Sequence, residues 1–217
     1  MKKNIIAFIP ARSGSKRIKN KNLQKIKGKS LVYITIEQAI NSKIFDQVFL
    51  SSDSDKILKE SKKFTINSIK RSKKNSMDLS TMEEVLIEFL KSTKITAENL
   101  ILLQPTSPLR STKTIKNFAK FCLEKKLKKC LTVSEIKDQI SFKKKYFSSL
   151  YDYNIRRTQN RRSFLYENSL LYFVNIKNFL KTKTLFDKNW PYYITNKYES
   201  LDINNLEDLK IAKKFIQ

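Results

Sequence analysis

The sequence predicts an α/β protein: one domain built on a mostly parallel sheet with helices on both faces. Three observations lead there. A run of five apolar residues, Ile5-Ile6-Ala7-Phe8-Ile9, stops at Pro10 and gives way to Ala11-Arg12-Ser13-Gly14-Ser15-Lys16-Arg17. That is the pattern of a buried strand feeding a small-residue, cationic loop. Strand-like and helix-like segments then alternate about every twenty residues, which demands crossover connections and therefore parallel pairing. An apolar fraction of 40% with 11% aromatics suffices for a packed core in 217 residues.

Each later element has its own signal. Residues 30–41 carry Leu31, Ile34, Ala39 and Ile40 at helical spacing, with Ser30 as N-cap. Residues 47–51 form a second buried strand. Asp53-Ser54-Asp55 ends it and caps a helix over 56–63, and a short third strand occupies 64–69. Asp78-Leu79-Ser80-Thr81 precedes a helix over 82–90, with Ser80 and Glu83 spaced as a capping box. Strands follow at 99–103, 129–133 and 170–175, with a helix at 112–124 and a closing amphipathic helix at 206–215. Between Gln139 and Tyr198 aromatic residues become dense, which calls for a packing partner. In sheets of this kind ligands sit beyond the carboxyl ends of the strands. The cationic loop, Asp53 and Gln104 all fall there.

Composition narrows the chemistry. Histidine is absent, which removes Ser-His-Asp and Cys-His catalysis and every His-ligated metal. Oxygen-preferring Mg²⁺ suits the remaining donors better than zinc. The formal net charge of +25 suggests a polyanionic partner, but lysine is spread through nearly every segment, so a nucleic acid is the less favoured partner. No apolar run approaches the ~20 residues of a membrane span. Cys122 and Cys130 have no metal or redox spacing, so reduced thiols in a cytoplasmic protein are expected. Only two glycines occur, Gly14 and Gly28, both in the opening region, where each is expected to hold a conformation closed to other residues.

The loop after the first strand has the chemistry of a polyphosphate cradle. Ser13, Gly14 and Ser15 let backbone N–H groups approach a ligand, and Arg12, Lys16 and Lys21 surround it with positive charge. The spacing is not that of a P-loop. Residues 11–17, with Lys21-Asn22-Leu23 and Gly28-Lys29-Ser30-Leu31 beyond, and a second block, Leu103-Gln104-Pro105-Thr106-Ser107-Pro108-Leu109-Arg110, resemble the motifs of the acylneuraminate cytidylyltransferases, the CMP-sialic acid synthetases.

That resemblance implies a Rossmann-like fold of the nucleotide-diphospho-sugar transferase type, comprising the whole of 1–217. It also implies an insertion within 139–198 that crosses to a second subunit in a homodimer. It assigns Arg12, Lys16 and Lys21 to catalysis on the CTP triphosphate, with Ala11, Ser13, Gly14, Asn22, Arg71 and Ser80 also at the nucleotide. Asn22 would meet the cytosine edge. Gln104 and Asn168 fall on the sugar side. Asp202 and Asn204 stand where the family has two Mg²⁺-binding aspartates, and the second is here an amide. Arg156, Arg157, Arg161 and Arg162 are candidates for the sugar carboxylate. The expected reaction is transfer of CMP from CTP to a nine-carbon 2-keto-3-deoxy sugar acid, with release of pyrophosphate. The same reaction on legionaminic or pseudaminic acid is the nearest alternative, and a basic nucleic-acid-binding protein is the alternative from another class.

Overall fold

The computed structural model describes residues 4–77, 79–143, 146, 148–150, 155 and 157–216. Its centre is β1 (Ile5–Pro10), in which all six residues are buried. The alternation of a strand divides β1 between two cores. Ile5, Ala7 and Ile9 enter one, and Ile6 and Phe8 enter the other.

After β1 the chain forms a small hairpin of β2 (Lys25–Ile26) and β3 (Lys29–Ser30). Its turn has Lys27 at φ 46° and Gly28 at φ 79°, two consecutive positive values. A tight hairpin turn of this kind needs both, and glycine adopts the second without strain. Gly14, by contrast, lies outside the positive-φ region, and a Cβ there would meet open space. The expectation of a special backbone angle therefore holds at Gly28 and fails at Gly14.

Next come α1 (Leu31–Asn41), β4 (Gln47–Ser52), α2 (Asp55–Ser61) and β5 (Asn67–Lys70). Ser30 caps α1 by accepting from the Tyr33 N–H at 3.2 Å. The second half holds α3 (Met82–Ser92), β6 (Asn99–Leu103), α4 (Thr112–Glu124), β7 (Lys129–Ile136), β8 (Phe164–Asn175), α5 (Ile176–Thr182), β9 (Tyr192–Ile194) and α6 (Leu206–Phe215). The capping box of α3 lies one residue later than the sequence pattern suggests, between Thr81 and Glu84. Ser80 donates instead to the Lys74 carbonyl, and Glu83 accepts from the Leu185 N–H.

The main sheet has the order β5-β4-β1-β6-β8-β7-β9. Among these strands only β8 runs against the rest. The chain steps outward from β1 to β4 and β5, then returns to place β6 on the other side of β1. A crevice opens at that reversal, beyond Pro10 and Leu103.

Helices α1, α2 and α4 cover one face through Val32, Ile36, Ile57, Ile115 and Phe118. Helices α3 and α5 cover the other through Val85, Leu86, Phe89 and Phe179, with the Phe8 and Phe89 ring centroids 4.5 Å apart. A third, smaller core joins Ile18, Ile26, Leu31, Ile34, Ile203, Leu209 and Ala212. It ties the cationic loop to the segment that carries Asp202. The aromatics of 139–198 divide: Tyr172, Phe173 and Phe179 are core, Tyr193 packs on Phe118 and Phe121, and Phe142, Phe186 and Tyr192 are exposed.

Candidate active site

A cavity of about 400 Å³ occupies the crevice. Arg12, Lys16, Arg17, Lys21 and Arg71 all line it, and among the described residues no acidic side chain does. Five cations around a cavity of this size suit a polyphosphate. Gly14, Asn22 and Ser80 line the same cavity, and so do Gln104 and Asn204. Residues spread from position 12 to position 204 thus meet in one place, because β1, β5 and β6 all end there.

Arg17 lies at the cavity wall, although its place in a basic run reads as a solvated charge. Nothing in a chain with 45 Lys and Arg singles it out before the fold is known. Arg71 is 7% exposed, and its guanidinium is aimed by β4: Nε donates to Ser51 Oγ at 3.3 Å and Nη2 to the Ser51 carbonyl at 3.1 Å. Burial lowers the Arg71 pKa, while Asp53 and Glu88 oppose that effect. Glu88 on α3 also accepts from the Ser72 N–H at 2.9 Å, from Ser72 Oγ and from Asn75 Nδ2, so it anchors the segment after Arg71.

Asn22 is 8% exposed. Its Nδ2 donates to the Arg12 carbonyl at 2.8 Å, which orients the amide and leaves Oδ1 buried without a hydrogen-bond partner. An acceptor held in this way can receive an exocyclic amino group. Lys21 reaches across to the Ile203 carbonyl at 2.9 Å. Burial lowers its pKa, and Asp202 is the chief opposing charge.

Ala11 and Ser13 do not line the cavity. Ala11 is fully buried, and its N–H extends the strand pairing to the Ser51 carbonyl at 2.9 Å. Ser13 gives both its N–H, at 2.8 Å, and its hydroxyl to the Asp53 carboxylate. Its amide therefore fixes the loop to β4 instead of facing a ligand. Burial raises the Asp53 pKa, but the Ser13 hydrogen bonds and Arg71 outweigh it and bring the group below the usual carboxylate value.

Asn168 is likewise outside the cavity. It is 3% exposed and its amide is fully committed: Oδ1 accepts from Thr132 Oγ1 at 2.7 Å, and Nδ2 donates to Ser134 Oγ at 2.8 Å and Thr195 Oγ1 at 2.7 Å. It cross-links β7, β8 and the segment after β9. Arg161 donates to the Ile155 and Lys137 carbonyls. Asp78 and Arg156 lie outside the described residues.

Asp202 and Asn204 sit on the strap before α6. Asn204 Nδ2 donates to Asp202 Oδ2 at 2.7 Å, and Asp202 Oδ1 is buried with no hydrogen-bond partner. The strap itself is pinned by the Ile203 N–H, which donates to the Thr106 carbonyl at 2.8 Å. Among the described residues no group of three or more His, Cys, Asp or Glu could hold a metal by itself. No helix among them is long and apolar enough to cross a membrane. Cys122 and Cys130 are both buried and free.

The profile of the cytidylyltransferase family matches residues 6–217. The chain belongs to the cytidylyltransferase family. Over 221 residues it is 31% identical to an N-acylneuraminate cytidylyltransferase of Escherichia coli O18:K1:H7, a match that covers 98% of this chain and 52% of that protein. It is 29% identical over 225 residues to a pseudaminic acid cytidylyltransferase of Campylobacter jejuni, covering 96% of this chain and 94% of that one. The chain thus spans about half the length of the N-acylneuraminate relatives it matches. Among solved structures, the CMP:2-keto-3-deoxy-manno-octonic acid synthetase in complex with CTP superposes with a TM-score of 0.76 at 15% identity, each chain covered to 98%. A 4-diphosphocytidyl-2C-methyl-D-erythritol synthase from Anaerococcus prevotii superposes at 0.69, with 17% identity and 98% of each chain covered. At such identities these two likenesses show the fold, a mostly parallel cytidylyltransferase sheet.

Proposed function

We propose that this cytidylyltransferase transfers CMP from CTP to a nine-carbon 2-keto-3-deoxy sugar acid of the sialic type, releasing pyrophosphate. The observation that carries the reading is that one crevice unites five cations and the oriented Asn22 acceptor with Gln104, at the end of a buried strand. Arg12, Lys16 and Lys21, aided by Arg17 and Arg71, would hold the triphosphate and offset its charge. Asn22 Oδ1 would accept from the cytosine amino group. The Gln104 amide would bond a hydroxyl or N-acyl group of the sugar. The anomeric oxygen then forms a bond to the α-phosphorus as the bond to the β-phosphate bridge breaks. The hydroxyl proton passes to solvent and pyrophosphate leaves. Catalysis here is mostly positioning and charge neutralisation.

Mg²⁺ fits the strap. Asp202 offers a buried, unpartnered carboxylate oxygen, and Asn204 turns that carboxylate through its amide. Asn204, which lines the cavity, and Asp202 beside it, which does not, would hold the ion between them, and the ion would supply positive charge for the phosphate oxygens. A homodimer through residues 139–198 belongs to the reading, supported by exposed Phe142, Leu165 and Tyr192 on that stretch.

Pseudaminic acid is a second acceptor worth equal trial, because the Campylobacter jejuni relative matches over nearly its full length. The deciding experiment incubates the protein with CTP, Mg²⁺ and each of N-acetylneuraminic, legionaminic, pseudaminic and 3-deoxy-manno-octulosonic acids, and reads pyrophosphate. Turnover with a nine-carbon acid, abolished in Arg12→Ala, is expected. No turnover with any of them overturns the reading.

A further inference from the structure

Arg110 closes the second sequence block yet does not line the cavity. It is 1% exposed and is the largest fully buried side chain among the described residues. Its guanidinium reaches three elements. Nη1 donates to the Gln104 carbonyl at 3.3 Å and to the Leu170 carbonyl on β8 at 2.8 Å. Nη2 donates to Gln38 Oε1 on α1 at 3.1 Å. The Gln38 amide nitrogen in turn donates to the Pro108 carbonyl at 2.7 Å. The loop from Gln104 to Arg110 is therefore gripped at its start, near its end and against two neighbouring elements by one planar cation and its amide partner. The Ser107 N–H also donates to the Gln104 carbonyl, at 3.3 Å, which closes the turn.

A charge inside a fold is costly, and an apolar side chain of like volume often leaves a protein at least as stable. This guanidinium is not even fully satisfied, since its Nε has no hydrogen-bond partner. Burial lowers the Arg110 pKa, and Glu199, three residues before Asp202, is the charge that opposes the effect. What the arginine does supply is geometry: a rigid fork that meets carbonyls at fixed angles, which a lysine point charge cannot reproduce. One of those carbonyls belongs to Gln104, a residue that lines the cavity.

We propose that Arg110, locked by Gln38, is a positioning residue for the acceptor sugar: it holds the Gln104 backbone so that the Gln104 amide meets the sugar, and it touches neither substrate. The inference rests on the proposed reaction. Its test uses Arg110→Lys, Gln38→Met and Gln38→Glu in the full chain, with steady-state KM for sugar acid and for CTP, Mg·CTP binding by calorimetry, and thermal melting. In Arg110→Lys the sugar-acid KM rises about tenfold, as expected for a displaced contact, while KM and Kd for CTP stay within about twofold. Gln38→Met, which leaves no new buried charge, reproduces the sugar-side rise. Gln38→Glu, which keeps an acceptor for Nη2 but loses the donor to the Pro108 carbonyl, gives a smaller rise than Gln38→Met. A purely structural role would move both KM values together with the melting temperature, and that result overturns the proposal. Unchanged kinetics in folded variants overturn it equally, and if Arg110→Lys fails to fold the Gln38 pair decides. Absence of turnover in the unsubstituted protein defeats the reaction, whereas turnover without the KM split defeats only the positioning role.

Discussion

The Lys21 ammonium donates to the Ile203 carbonyl at 2.9 Å, across 182 positions of sequence. Ile203 in turn gives its N–H to the Thr106 carbonyl at 2.8 Å and buries its side chain beside Ile18, Ile26 and Leu31. The cationic loop, the Gln104 loop and the Asp202 strap are thereby held as one rigid frame. A cation that also serves as a tether should affect more than charge. Lys21→Met is expected to raise the CTP KM at least about tenfold, roughly 1.4 kcal/mol. It should also raise the Mg²⁺ concentration needed for half-maximal rate, because the strap loses its tie. A Mg²⁺ titration of both proteins at fixed CTP reads this. An unchanged metal requirement would limit Lys21 to charge.

Asn22 presents an unpartnered acceptor and has one of its two N–H donors engaged by the Arg12 carbonyl. Cytosine carries an amino group where uracil carries a carbonyl, so this amide should favour CTP over UTP. Asn22→Leu leaves the Arg12 carbonyl without its partner and removes the acceptor. Loss of such a buried hydrogen bond costs about 1–3 kcal/mol. The expected outcome is a roughly ten- to hundredfold fall in kcat/KM for CTP with little change for UTP, measured as pyrophosphate release from each nucleotide. Equal losses for both would mean that the amide supports the loop and does not read the base.

The Asn204 amide holds Asp202 Oδ2 at 2.7 Å. Asn204→Asp exchanges that hydrogen bond for a second carboxylate two positions from the first. Like charges without an ion between them repel, so the variant should melt a few degrees lower without metal and regain that loss as Mg²⁺ is added. Its Mg²⁺ requirement should fall severalfold, whereas Asp202→Asn should lose the metal response. Melting curves with and without Mg²⁺ separate these outcomes from a purely structural strap.

Glu88 and Asp53 both have pKa values lowered in the fold. In each, burial pushes upward but is outweighed by hydrogen bonds, from Asn75 and Ser72 to Glu88 and from Ser13 to Asp53. A lowered pKa means that the unfolded chain binds the proton more readily. Stability from these groups is therefore present above the ordinary values of 4.5 and 3.8, and is lost as pH falls through the depressed folded values. Melting temperature measured from pH 7 to pH 3 should drop at the acid end, and Glu88→Gln should flatten part of the drop. A Glu88→Gln profile parallel to that of the parent protein would remove Glu88 from the account.

Much of the site can be read in the residues themselves. The apolar run ending at Pro10 and the block ending in Arg110 mark two adjacent strand ends, and Arg12, Lys16, Lys21, Asn22, Arg71, Ser80, Gln104 and Asn204 do line one cavity. Where local pattern misleads, a long-range partner has intervened. Ser13 looks like a ligand-facing amide until Asp53, forty positions away, takes both its donors. Asn168 shows no such partners in its local pattern, yet Thr132, Ser134 and Thr195 engage its amide.

The central strands, the longer helices, the cavity cations Arg12, Lys16 and Lys21 and the absence of histidine chemistry follow from the amino-acid order alone, because hydrophobic period and residue type act locally, whereas the short β2, β3, α5 and β9 carry too little periodic pattern to be read. Only the folded chain decides which polar groups remain available for a ligand. Arg17 lies on the cavity wall, Asn22 keeps a spare acceptor, Arg110 is wholly internal and Asn168 is wholly spent. The reason is that a buried hydrogen-bonding group must find a partner, and that partner is set by contacts between segments far apart in the chain.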